Sequence, residues 1–424
     1  MLGIFGYLLF ALLAVGGESS VHQAYLQQHK QEINLSAEDE FSLFDSAFYQ
    51  NQIFILAEVH GFAAPQELDY RLLKHLNQQT GLRYYLAEVD YSQAHFLNQY
   101  LQTGDEPLLS YVFQTWVKMN AQWGNKNYYN KLKKIYQLNQ QLPEERRISI
   151  VGVDKIQDIA VTNQFLREII GKPTYAILNP NGFDTLHTYL ETDTISLQQY
   201  GLFSQSLLSS IQQDSTFSSL PDTEKFDLLH VLRNISYFAQ PSPRDSIMYI
   251  NLQAVVKEKH LEHEKMYGLW GYGHTLPSTF NGRKSFVHFL KENIHFSGKV
   301  LAMNTFAIDS ENMIPARSMP EWLTKTEIPD KKLSYISTTW VNSNGPLAFV
   351  KGIKDLQATS RENTITLFQM DGNNSPYKNS SLLINTRVPI PGQTIIPDRE
   401  DLTIAEAFPY VFLIRNSAAL QPLE

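Results

Sequence analysis

Apolar residues gather into short unbroken runs along this chain, and the runs end in ionisable side chains. The first is "IFILAEVHG", Ile53 to Gly61. A run of this length, bounded by polar residues, reads as a fully buried strand. "RYYLAEVD", Arg83 to Asp90, and "RISIVGVD", ending at Asp154, have the same form. Between the first two, Leu68, Leu72, Leu73 and Leu76 fall at helical spacing, and Gly81 stands where a helix would stop. Ser92 reads as the cap of a further helix, and Trp116 to Leu142 as an aromatic, lysine-rich helical stretch. Strands alternating with helices predict βαβ units, hence an α/β chain with a central, mostly parallel sheet flanked by helices.

The pattern changes from about Ile156 to His263, a segment rich in Ser, Gln, Leu and Asp with helical spacing and few strand-like runs. It is expected to be a mostly helical insertion (156–263) within one domain spanning 17–424, lying over the C-terminal strand edge and roofing a cleft there. Strand character returns at "MYGLWGYGHT", at "KVLAMNTFA" (Lys299 to Ala307) and at "YVFLIRN" (Tyr410 to Asn416).

The N-terminus changes the picture differently. "MLGIFGYLLFALLAVGGESS" carries an apolar run from Leu2 to Val15, too short for a comfortable membrane span. Ala14-Val15-Gly16 then offers a small-x-small cleavage point. Residues 1–16 read as an export signal, so the mature protein is expected to be periplasmic or secreted, with no membrane attachment after cleavage.

Composition removes several classes of function. A net charge of -8 and no Lys/Arg-rich run argue against nucleic acid as a partner. With 0 cysteines the chain has no disulfides, thiolate metal sites or cysteine nucleophile. No G-x-S-x-G elbow, phosphate-binding G-x-x-x-x-G-K-[ST] loop or H-E-x-x-H pair is present.

What remains is a set of strand ends: Glu58 and His60, then Glu88 and Asp90, then Asp154, and later His274. Ligands of open α/β sheets bind beyond the carboxyl ends of the strands, so these residues are expected at one edge. Burying a carboxylate or an imidazole without a partner is costly, which gives their placement a reason beyond chance. Hydrolysis of an ester needs a base for water, a donor for the oxyanion and an acid for the leaving alcohol. His60 is the natural base, Glu58 or Glu88 can hold its other nitrogen, and His274 can donate to an oxygen. Asp154 reads as a structural cap, and Arg244 and Asp245 as a structural pair on one helix.

"ILAEVHG" with the Arg-bearing helix after it, and "GLRYYLAEVDYSQAHFLNQYLQTGD", resemble the erythromycin esterase family. "VGVD", "RDSIMYINL", "LWGYGHT" and "YVFLIRNSAALQPL" extend the likeness in order to the C-terminus. The spacing here is Glu-x-His where that family has Glu-x-x-His, and the Trp-containing strand carries one histidine, His274, where it commonly has two. The resemblance implies Glu58, His60, Arg71, Glu88 and His274 as active-site positions, with Arg71 orienting Glu88 or facing the oxyanion. It implies a hydrolase acting on a small-molecule ester or lactone, without cofactor or obligatory metal. A second reading stays open: a ligand- or metal-binding protein, for haem or zinc, on a related fold, or a family member without activity.

Overall fold

The structure, a computed structural model, describes residues 19–35, 41–175, 183–192, 196–218, 220–318, 335–389 and 394–423. The expected export segment, 1–16, lies outside the described residues. The sheet strands are β1 Lys30–Ile33, β2 Ile53–Glu58, β3 Tyr84–Asp90, β4 Ser149–Asp154, β5 Met266–Gly271, β6 Val300–Ile308, β7 Ile365–Gln369 and β8 Tyr410–Arg415. Helices flank this mostly parallel sheet. Contacts divide the chain into two compact units: Met1–Leu82, Asn120–Lys134 and Lys265–Glu424 form one, Arg83–Met119 and Ile135–Glu264 the other.

In the first unit the strand order is β1-β7-β8-β6-β2-β5. β2 is parallel to both neighbours, with Ile53 opposite Met266 on β5 and Val300 on β6. All six of its residues are buried. A parallel strand covered on both faces has no solvent side to mark with polar residues, which is why "IFILAE" reads as an unbroken apolar run. β1 and β7 pair antiparallel to finish the sheet beside β8. The helix Ala64–Thr80 follows β2. Pro65 lies in its first turn, and Gly81 ends it in the left-handed region at φ 74°.

In the second unit β3 and β4 are parallel, Tyr84 opposite Ser149, and an irregularity after Ala87 brings Asp90 level with Asp154. The outer edge of β4 is closed by side chains. Asn98 donates to the Ile150 carbonyl (2.8 Å) and accepts from its N–H (2.7 Å). Asn139 does the same for Ile148, at 2.9 and 2.8 Å. The described residues of 156–263 form helices and turns, chief among them Ile159–Ile170, Leu197–Gln213, Asp222–Ser236 and Arg244–Glu258.

Two local expectations are corrected. The helix Tyr91–Thr103 is capped by Asp90, whose carboxylate accepts from the Ser92 and Gln93 amides while Gln93 reaches back to the Asp90 N–H. Ser92 therefore lies inside the first turn; the stronger acceptor one step earlier takes the cap. The aromatic, lysine-rich stretch is two helices, Glu106–Lys118 and Lys126–Asn139. Asn120, at φ 51°, stands in a left-handed conformation that no continuing helix accommodates.

Candidate active site at the strand ends

Glu58 closes β2 at the level of Gly271 on β5. His60 follows two residues past that level and His274 three, so both leave neighbouring parallel strands at the same edge. Glu58 Oε1 lies 3.0 Å from His60 Nδ1; the carboxylate side chain is 7% exposed and the imidazole 36%. Pairing with an anion makes Nδ1 the protonated nitrogen and leaves the lone pair on Nε2. The mount is fixed by Gly61, at φ +108°, where an added Cβ would overlap the Met313 carbonyl and the Asn312 amide. Through that close approach Asn312 donates to the His60 carbonyl at 2.7 Å, and Met313 N–H to Gly61 at 2.9 Å. The Trp123 ring stands edge-on 6.3 Å from the imidazole. His274 ends the short turn Tyr272–His274, its ring 6.4 Å from Trp270.

Behind the pair lies a buried polar chain that sequence reading missed. Gln66 reaches Glu58 Oε1 at 3.5 Å, and the other carboxylate oxygen, Oε2, is buried without a hydrogen-bond partner among the described residues. Three residues along the same helix, Asp69 is fully buried and meets Lys131 Nζ at 2.5 Å; the Lys131 side chain is 4% exposed. The phenol of Tyr267 on β5 is held well above the usual range, first by burial and then by the charges of Asp69 and Glu58. The Lys131 ammonium also stands 4.4 Å from the Tyr128 ring centre. A signal existed: Asp69 is in helical phase with Leu72 and Leu76, and Lys131 with Tyr128 and Ile135, so each charge sits on an apolar stripe. Arg71 donates to the Leu35 carbonyl and stands 3.6 Å from Glu67, which Lys134 also reaches.

In the second unit Glu88 meets Arg244; the resemblance had offered Arg71 to orient Glu88 or to face the oxyanion. Arg244 Nη2 meets Glu88 at 2.9 Å and Asp154 at 2.5 Å, while its Nε meets Asp154 at 2.8 Å. The guanidinium thus reaches β3 and β4, where it was expected to pair with Asp245 on its own helix. The paired carboxylates hold it above its ordinary value against the opposing effect of burial, which is the larger single influence. Asp154 also accepts from the Lys155 N–H and from Gln157, both at 2.7 Å. Asp90 is pushed up to about 8, by burial first, with the Asp154 and Asp158 charges adding and its own capped amides opposing.

No family model and no curated protein matches the chain. Solved structures do. A Bacillus cereus protein superposes with a TM-score of 0.70 at 13% identity, covering 96% of this chain and 99% of its own. A protein described as a succinoglycan biosynthesis protein gives 0.68 at 13% identity, over 96% and 99%. A mutant of the erythromycin esterase EreC in its open conformation gives 0.61 at 14% identity, over 92% and 98%. The chain shares its fold with an erythromycin esterase. Identity this low carries the likeness no further than the fold. Among the described residues, no group of three or more His, Cys, Asp or Glu side chains is arranged to hold a metal ion.

Proposed function

We propose that this protein is a hydrolase of small-molecule ester or lactone bonds, with His60 as general base and Glu58 as the group that orients it. The observation carrying this reading is the 3.0 Å contact between a buried carboxylate and Nδ1 of a part-exposed imidazole. That arrangement turns the basic Nε2 away from the carboxylate. It also stabilises the imidazolium formed when Nε2 takes a proton from attacking water. The hydroxide equivalent then adds to the carbonyl carbon. As the tetrahedral intermediate collapses, the proton returns from His60 to the leaving alcohol. His274, leaving the neighbouring strand at the same edge, is assigned to the carbonyl or leaving oxygen. The fold shared with an erythromycin esterase supports the reaction class. The apolar run ahead of Ala14-Val15-Gly16 supports export, which N-terminal sequencing of the mature protein checks directly.

The test is a panel of esters and lactones offered to the purified protein with and without chelator. His60→Ala should lose about a hundred- to ten-thousandfold in rate on the best substrate with its melting temperature unchanged. Chelator should change neither rate nor melting. Retained turnover in His60→Ala would sink the assignment; activity lost to chelator and restored by zinc would make His60 a ligand.

A further inference from the structure

A cluster of buried polar groups of the first unit lies behind His60. His60 Nδ1 meets Glu58, and Gln66, on the helix Ala64–Thr80, reaches the same carboxylate. Tyr267 feels the charges of both Asp69 and Glu58. Asp69 meets Lys131 at 2.5 Å. Register explains the geometry. Phe54 lies opposite Tyr267 and Glu58 opposite Gly271, so Tyr267 and Glu58 project from the same sheet face by the two-residue alternation of strands. The helix carrying Gln66 and Asp69, one turn apart, packs against β5.

Two opposite charges this deeply buried are an expensive way to fill a core; an apolar pair of the same volume is often as stable or more so. Of the other charged groups on these elements, Glu67, Arg71 and Lys134 pair with one another in partly exposed positions, Lys74, Lys126 and Lys133 are partly exposed, and His274 leaves the neighbouring strand end. Among the described residues of these elements, Asp69 and Lys131 are, with Glu58 itself, the charges that are buried. We propose that Asp69 and Lys131 are positioning residues for the Glu58–His60 pair, set behind it by the helix whose Gln66 reaches Glu58. The inference rests on the reading of that pair as the working centre.

The test follows the His60 imidazole by NMR in full-length protein carrying isotope-labelled histidine, the signal assigned from its absence in His60→Ala. Asp69→Asn leaves the Lys131 ammonium unbalanced, which disfavours imidazolium, so the His60 midpoint falls. Lys131→Met leaves the Asp69 carboxylate unbalanced, and the midpoint rises. Each shift should be about one pH unit, the scale on which one unit charge acts inside a protein at an effective dielectric near 20. The double variant Asp69→Asn/Lys131→Met should return the midpoint to within a few tenths of wild type. If neither single variant folds, Tyr267→Phe removes one hydroxyl and no charge; loss of that dipole near Asp69 should raise the midpoint by a few tenths. Folded variants whose His60 midpoint stays at the wild-type value overturn the proposal. Because the readout needs no substrate, failure here leaves the hydrolase reading standing, and an empty ester screen leaves this one standing.

Discussion

Replacing Arg244 with methionine asks how far the carboxylates ending β3 and β4 depend on one guanidinium. Asp154 is 1% exposed and holds Arg244 through both oxygens, while Glu88, 13% exposed, shares the same nitrogen. Removing one partner of a buried pair costs about 3–5 kcal/mol, because the other is left as an uncompensated charge. The Arg244 side chain is 33% exposed, so water already screens part of the attraction. The expected loss therefore lies at the lower end, about 3 kcal/mol at pH 7. Acid neutralises stranded carboxylates, and a native state that gains affinity for a proton is stabilised as pH falls. The deficit against wild type should thus narrow between pH 7 and pH 4.5. Urea unfolding followed by circular dichroism at both pH values measures it. A loss below about 1 kcal/mol at pH 7 would mean that the pair contributes no more than a surface ion pair. A deficit that does not change on acidification would mean that packing, not charge, is lost.

Two further outcomes are expected. The Asp90 carboxyl, raised from 3.8 to about 8, binds its proton more tightly folded than unfolded, so it lowers wild-type stability as pH rises from about 4 to 8. Asp90→Asn keeps a good helix cap and should flatten that slope in thermal melts from pH 4.5 to 8.5; an unaltered slope would remove Asp90 as its source. Asn98→Ala strips both hydrogen bonds from Ile150, which should cost about 1–3 kcal/mol and produce concentration-dependent association by light scattering. A stable, monodisperse variant would contradict this.

Strands buried on both faces were legible because they leave long apolar runs: β2, β3, β4, β5, β6 and β8 all stand out. β1, "KQEI", is short and only partly buried, so it carries too few apolar residues to announce itself. The Glu58 and His60 positions were readable because an ionisable residue at the end of a buried strand has few reasons to be there. The Asp69–Lys131 pair was not read, although each charge breaks an apolar stripe. The partners are 62 residues apart, and only packing brings them together. Arg244 and Glu88, 156 residues apart, escaped for the same reason, and Arg71 was offered by the family resemblance alone. The resemblance to erythromycin esterases anticipated the shared fold; motif spacing had no means of reporting which cation meets which carboxylate.

The asparagines along β4 bear on how this molecule fares in a crowded solution. A terminal strand ordinarily offers its unused amides and carbonyls to any extended peptide that drifts by. Here the amide groups of Asn98 and Asn139 imitate the peptide units of a missing neighbour and occupy Ile148 and Ile150 first. An intruding strand would have to evict two side chains already holding four bonds. The sheet is therefore finished from within at this margin, and copies can accumulate without being zipped together along it.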